Sequence, residues 1–338
     1  MRRGSARCAA SAVLLAVFEI VAFHGLVAPA HASDQLAPLW RQVFERPATS
    51  VPSEGSDLVA VEPESAAGLV ALGETLFSDT RLSGDGTRSC ATCHVPSLGF
   101  ADGLERASGR SPTALLRNTP TLWGIGFQQA VGSSGRKPRL NWDGSASNLI
   151  EQMQRPITDL QELASAWPGI VERLHSDDQI RQIAASTGPG VVDRGFVESA
   201  IAAYVARLAP PRTRFDDWIA GDDDALTDVE KAGFALFAGK GRCATCHIGW
   251  RMTDDRLRDI GRAPEARTGR VRFKTPTLRS IIETAPYMHD GALATLDDVV
   301  GHYAGGVISR PSLSETIAPD LALAPHERAA LVAFLKTL

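Results

Sequence analysis

One pentapeptide occurs twice, as Cys90-Ala91-Thr92-Cys93-His94 and as Cys243-Ala244-Thr245-Cys246-His247. C-x-x-C-H is the spacing at which a single helical turn brings two sulfurs and an imidazole to one edge and one face of a planar macrocycle. The cysteines can then add as thioethers to the vinyl groups of a haem, while the histidine swings under the iron as proximal ligand. Two other uses of such cysteines compete. Zinc takes four closed nitrogen or sulfur ligands, and a redox dithiol needs a βαβ setting that the chain does not display. The motifs predict two covalently bound haem c groups, with His94 and His247 on the irons. Four of the five cysteines belong to these motifs, and the fifth, Cys8, lies near the N-terminus, so none is left for a disulfide.

The segments that must position these motifs repeat with them. Gly73-Glu74-Thr75-Leu76-Phe77 before the first motif matches Gly233-Phe234-Ala235-Leu236-Phe237 before the second. Thr119-Pro120-Thr121-Leu122 matches Thr275-Pro276-Thr277-Leu278, and Trp142-Asp143-Gly144 matches His289-Asp290-Gly291. Helical spacing is read over Pro63–Phe77, with Pro63 near its first position, and over about 146–155, 160–175 and 192–208. Thr227 and Glu230 form a capping box for the helix leading into the second motif, and Pro325 opens a C-terminal helix. The acid-bearing stretch Thr213–Asp224 reads as a linker. Few segments alternate with strand period, so the expected fold is all-α. It has two cytochrome c-like helical domains, 33–212 and 213–338, each built around one haem.

The duplication allows the faces opposite the two proximal histidines to be compared. Twelve residues beyond Gly144 stands Pro156, and twelve beyond Gly291 stands Tyr303. Proline cannot ligate iron, which leaves the first haem an open face for peroxide, whereas tyrosine can ligate it. Met288 is a rival ligand on general grounds, since Met/His is a common pair in cytochromes c. The repeat aligns it with Asn141 and not with Pro156. An ordinary core tyrosine, its hydroxyl bonded within the protein, is the other use of Tyr303.

With these residues in place the chain resembles the bacterial dihaem cytochrome c peroxidase family, and within it the methylamine-utilisation branch, over essentially its whole mature length. The family carries a Trp between its haems, matched by Trp142, and a distal Glu twenty residues later, matched by Glu162. The branch adds a Gln ten and a Pro fourteen residues after that Trp, matched by Gln152 and Pro156, and a Tyr ligand matched by Tyr303. The resemblance implies acid–base work on peroxide for Glu162, a hydrogen bond to bound oxygen for Gln152, and charge relay for Trp142. Without the family spacing, these would read as a solvated carboxylate, a surface amide and a large core residue. Peroxidases of the family have a displaceable distal His after the first motif, and no His lies between His94 and His175. The resemblance also implies one Ca²⁺, held by the Asn118 side chain and the backbone oxygens of Thr284 and Pro286. One departure concerns a Trp that the branch places two residues before the second motif. Gly241 stands there, and Trp250, three residues after His247, is a possible substitute.

The resemblance implies an enzyme that takes oxidising equivalents from hydrogen peroxide and passes them to a protein partner. In this branch the partner is precursor methylamine dehydrogenase, whose tryptophan tryptophylquinone is completed. The alternative is a peroxidase fed by a small cytochrome c, and a two-haem electron carrier is the non-enzymatic reading. The formal charge of −4 gives nucleic acid no purchase. Residues 1–32 read as a signal peptide: Arg2, Arg3 and Arg7 precede an apolar run, and Ala30-His31-Ala32 is a cleavage pattern. A retained anchor is the other reading, opposed by Glu19 within the run. The expected location is the periplasm, with no stable membrane insertion of the mature chain.

Overall fold

Helix crossings too tight for any side chain anchor both halves of the chain. In the computed structural model, which describes residues 40–47, 63–111, 115–128, 139–187 and 190–338, helix α1 (Pro63–Phe77) crosses a later helix at Gly73. A Cβ on Gly73 would stand 1.9 Å from the Ala200 carbonyl oxygen. The leader-like segment and Cys8 lie outside the described residues. Among those described, no helix is long and apolar enough to cross a membrane.

The first half continues with α2 (Leu149–Thr158), α3 (Trp167–His175), α4 (Asp178–Thr187) and α5 (Arg194–Ala206). Leu72, Leu76 and Phe77 of α1 meet Phe196, Val197, Ala200 and Ile201 of α5 in one core, joined by Met153 and Ile157 of α2 and Ile170 of α3. The helix expected over 160–175 starts only at Trp167, because Pro168 favours a first turn and Ala164 adopts a left-handed φ of 46°. Glu162 therefore lies in a turn and not on a helix.

The second half contains α6 (Arg214–Ala220), α7 (Asp228–Ala238), α8 (Leu296–Gly301) and α9 (Pro325–Leu335). It also holds one antiparallel pair, β1 (Leu257–Asp259) with β2 (Arg272–Lys274). Helix α7 crosses α9 at Gly233, whose Cβ would stand 2.0 Å from the Ala330 carbonyl oxygen, repeating the crossing at Gly73. The stretch expected as a linker is α6. Its acids are cap and partner groups: Asp216 accepts from the Thr213 amide, while Phe215, Trp218 and Ile219 are buried. Edge-on rings dominate this core, as in Phe215–Phe334 at 5.5 Å and Trp218–Phe234 at 5.0 Å. Each such pair adds about 0.5–1.5 kcal/mol beyond area burial. Residues 40–44, assigned by the sequence to the first half, pack here too: Trp40 and Phe44 touch Phe234. The whole is helix-rich, as expected, with β1–β2 its one sheet among the described residues.

Candidate active site

The two histidines are held alike. His94 Nδ1 lies 2.9 Å from the Phe100 carbonyl oxygen, and His247 Nδ1 lies 2.9 Å from that of Met252. A carbonyl only accepts, so Nδ1 carries the hydrogen and a neutral ring keeps its lone pair on Nε2, free for a metal. Burial lowers both imidazole pKa values and so favours the neutral form, against the opposing pull of these carbonyls. The left-handed φ of Phe100, 59°, and of Met252, 53°, turns each carbonyl back to its ring. The twin T-P-T-L segments brace these turns. Thr121 Oγ1 donates to the Gly99 carbonyl and Thr277 Oγ1 to that of Arg251, each at 2.6 Å. The sequence marked T-P-T-L as a repeat but not as this brace.

Burial pushes the Cys90 thiol up to about 12 and, with Asp102 adding and Arg88 opposing, the Cys93 thiol to about 11. Burial raises Cys243 to about 12. None of the four motif cysteines is in a disulfide. Among the described residues no three His, Cys, Asp or Glu side chains converge on one point. Each motif is instead laid along one turn, Cys90–Thr92 and Cys243–Thr245, with the histidine amide bonded back to the first cysteine's carbonyl at 2.9 Å. Two neutral sulfurs beside an imidazole with free Nε2 fit the edge and proximal face of a haem.

Opposite the first motif, helix α2 closes a cavity. Cys90, Cys93 and His94 form one wall, while Gln152, Met153, Pro156 and Ile157 of α2, with Glu162, form the other. Asn148 caps α2, its side chain accepting from the Glu151 amide at 2.8 Å. Pro156 brings only ring carbons to the cavity and, lacking an N–H, leaves the Gln152 carbonyl without its helical partner. Glu162 is carried by a tight turn, its amide bonded to the Asp159 carbonyl at 3.0 Å. The loop before the first motif backs this turn. The Gly84 amide donates to the Leu163 carbonyl at 2.8 Å, and a Cβ on Gly84 would stand 2.2 Å from the Ala164 carbonyl oxygen. Burial, then the Asp159 charge, raises the Glu162 pKa above the ordinary 4.5, with Arg155 opposing. A partly desolvated carboxylate lining a cavity can accept and return a proton.

The second half keeps the register and changes the residue. Thr295 caps α8 as Asn148 caps α2, accepting from the Asp298 amide at 3.1 Å, and each cap lies four residues beyond its glycine. Asn141 and Met288 share one turn conformation, with φ of 63° and 74°, which ties Met288 to Asn141 and not to the distal position. Tyr303 lies in a widened turn, His302–Gly306, that leaves helical geometry at Ala304 and Gly305. Burial is the main force raising its phenol pKa, with the charges of Cys243 and Cys246 adding and Arg262 opposing. Tyr287 gives its hydroxyl to the Ile281 carbonyl, whereas the Tyr303 hydroxyl has no hydrogen bond among the described residues.

Trp142 lies where the halves meet. Its indole Nε1 donates to the Asn118 carbonyl at 2.8 Å, and its own carbonyl accepts from the Lys274 amide at 2.7 Å. The Asn118 amide donates to the carbonyl of His289, the residue equivalent to Trp142. The Asn118 Nδ2 donates to the Leu104 carbonyl at 2.8 Å. Thr284 approaches Gly99, and Pro286 follows a cis peptide bond. Asn118 makes no hydrogen bond to Thr284 or Pro286 among the described residues. Gly241 has no room for an indole, since a Cβ there would lie 2.9 Å from the Leu236 carbonyl oxygen. The Trp250 ring is 5.2 Å from Phe127 of the first half, with the Arg46 guanidinium 5.5 Å above it.

Residues 67–224 match the family described as di-haem cytochrome c peroxidase. The chain is 39% identical to the methylamine utilization protein MauG of Methylorubrum extorquens, across 92% of this chain and 87% of that protein. It is 34% identical to MauG of Methylophilus methylotrophus, across 88% of each chain. The crystal structure of a MauG-like protein associated with microbial copper homeostasis superposes with a TM-score of 0.68 at 27% identity, covering 87% of this chain and 92% of the other. With paired histidines that each keep one nitrogen free, and with relatives alike over most of its length, the chain belongs to the di-haem cytochrome c peroxidase family of haem-dependent oxidoreductases.

Proposed function

We propose that the chain is a periplasmic oxidoreductase of the MauG type, with haem c joined to Cys90/Cys93 and to Cys243/Cys246. It uses hydrogen peroxide to oxidise a protein partner, and the most specific partner is precursor methylamine dehydrogenase, whose tryptophan tryptophylquinone it completes. Residues 33–212 and 213–338 carry one haem each. The observation that carries this reading is the contrast at one repeat position. Pro156 offers no ligand to the first iron, while at the equivalent repeat position the half-buried Tyr303 carries a phenol with no hydrogen bond among the described residues.

Bound haem supplies the iron at which peroxide accepts two electrons. With haem bound, the Glu162 carboxylate would be the group to accept a proton from peroxide and return it to the departing oxygen as water. Gln152 would offer its amide hydrogen to the bound oxidant. Tyr303 would hold the second iron through Oη, its phenol deprotonating more easily beside a metal cation. Trp142 bridges the halves. Its N–H donates to a backbone carbonyl, which holds the ring in place. Asn118 Oδ1 and the backbone oxygens of Thr284 and Pro286 would hold one Ca²⁺.

The deciding experiment mixes protein, peroxide and precursor dehydrogenase and follows quinone absorbance. We expect quinone to form with wild type and not with Trp142→Phe, while Trp142→Phe still reacts with peroxide at the first haem. EPR of the ferric protein should show one high-spin and one low-spin haem. Rapid turnover of reduced cytochrome c without quinone would establish the peroxidase reading instead. Two low-spin signals would point to an electron carrier.

A further inference from the structure

The repeat contains a second pair of equivalent positions, one residue beyond each T-P-T-L. In the first half it is Trp123 and in the second Arg279. The backbones match: the Trp123 amide donates to Thr121 Oγ1 and the Arg279 amide to Thr277 Oγ1, both at 3.1 Å. Both side chains end in buried N–H groups without a hydrogen-bond partner, Trp123 Nε1 in one case and both terminal nitrogens of Arg279 in the other. Such donors are uncommon inside proteins and call for an acceptor. Four other arginines have one orphaned nitrogen, Arg41, Arg110, Arg258 and Arg262, but in each another terminal nitrogen reaches a carboxylate outward on the chain. Trp123 has no other side-chain donor to use, and Arg279 has neither terminal nitrogen in a hydrogen bond, only an ion pair to Asp216.

Arg279 is 2% exposed. Its Nε donates to the Trp250 carbonyl. One terminal nitrogen lies 2.9 Å from Asp216 Oδ1, close enough for an ion pair but not aligned along an N–H. Asp216 spends its other oxygen on the Thr213 cap. Arg46 adds a second positive charge nearby, its guanidinium above the Trp250 ring. The buried Arg279 guanidinium thus has one carboxylate beside it and a second positive charge opposing it. Burying a cation whose hydrogens are not all paired is costly.

Both positions border the proximal histidines. The Pro120 and Pro276 carbonyls add to the pull on the His94 and His247 rings, and they stand three residues before Trp123 and Arg279 respectively. Leu122 and Ile125, flanking Trp123, line the first cavity, and its ring stacks edge-on to Phe100 at 4.8 Å. Arg279 reaches Trp250, two residues from the Met252 carbonyl that holds His247. An acidic side group of a macrocycle seated on either histidine is the chemistry that satisfies such donors, and haem carries two carboxylates as propionates.

We propose that Trp123 and Arg279 are the positioning residues for a haem propionate in their respective halves, a neutral hydrogen bond in the first and a charged fork in the second. The asymmetry has a consequence. A cation fixed beside the second haem opposes part of the negative charge that an anionic tyrosine ligand adds, so the two irons differ in their surroundings on the proximal side as well as the distal. This inference rests on the reading that each half binds haem. Haem content is therefore measured first, by haemochrome absorbance and intact mass.

Resonance Raman then follows the propionate bending bands, and a spectroelectrochemical titration follows each potential. In Trp123→Phe, which removes only the N–H, we expect the propionate band of the first haem to move and that of the second to stay. In Arg279→Gln we expect the reverse, with the second haem's potential shifted downward. If Arg279→Gln does not accumulate as holoprotein, Arg279→Lys carries the test. It keeps the charge and loses the fork, so the band should move while the potential is largely retained. Asp216→Asn separates the ion pair from the propionate contact, since it should leave the second haem's band in place. Two haems per chain with unmoved bands in both Trp123→Phe and the Arg279 variant would overturn this proposal alone. Absence of haem would overturn the functional reading itself.

Discussion

Glu162 shows how one side chain acquires a task from its surroundings. A carboxylate in a turn is ordinarily a solvated charge, but here burial and Asp159 raise its pKa above 4.5. A base of that kind works in its ionised form, so the rate of peroxide reaction should climb with pH along a limb displaced above that ordinary value. Glu162→Gln should flatten the limb and slow the reaction by about 10²–10⁴-fold. Stopped-flow absorbance across pH would measure both. The stability effect has the opposite sense. A raised carboxylate favours the protonated folded state, so its contribution is present below the ordinary pKa and lost as pH rises through the raised value. Glu162→Gln should therefore be no less stable than wild type at neutral pH. A slowed variant that is also less stable there would indicate damage and not loss of a base.

Among the elements, the paired helix crossings at Gly73 and Gly233 carry each half. Every substituent larger than hydrogen collides with a carbonyl oxygen on the facing helix, at 1.9 Å and 2.0 Å respectively. Gly73→Ala and Gly233→Ala should each destabilise by about 1–3 kcal/mol, the usual cost of overpacking, and lower the midpoint of thermal unfolding. Gly301→Ala is the control. Nothing lies within 4 Å of its would-be Cβ and its backbone is helical, so the change should be neutral or stabilising by up to about 1 kcal/mol. Equal losses in all three variants would mean that the crossings are not special.

Across the whole molecule the halves are clamped by Arg117, which pairs with Asp143 of its own half at 2.9 Å and with Glu265 of the other at 2.6 Å. Its side chain is 18% exposed and that of Glu265 only 4%. Breaking such a pair strands a buried charge at a cost of roughly 3–5 kcal/mol, so Arg117→Met should lose on that order in urea unfolding. Burial works against ionised Asp143, yet Ser145 and Arg117 hold its pKa at about 2, and Arg117 and Thr268 lower Glu265 in the same way. Depressed carboxylates contribute stability above their ordinary values, which is lost as pH falls through the folded ones. The unfolding midpoint should therefore fall between about pH 4 and pH 2 in wild type and change less in Arg117→Met. Because Asp143 follows Trp142, a loosened seam should also slow charge movement between the halves without altering haem content.

Much of this was readable before any coordinates, for a local reason. C-x-x-C-H, the capped entry to α7, the span Pro63–Phe77 and the twelve-residue interval from each glycine to Pro156 or Tyr303 are all short-range patterns, and a duplicated pattern checks itself. Other features depend on neighbours distant in the chain. The acids of Thr213–Asp224 resemble a linker until Arg279 and the Thr213 cap are seen to use Asp216. Residues 40–44 join the second core through rings nearly two hundred positions away. Glu162 leaves the helical pattern because Gly84 lets a loop press on its turn, and Trp250 faces Phe127 across the seam where Gly241 has no space for an indole. Spacing along the chain determined which chemistry is on offer. Only packing, which sets burial, charge partners and the sole hydrogen bond a donor can reach, decided where each group would use it.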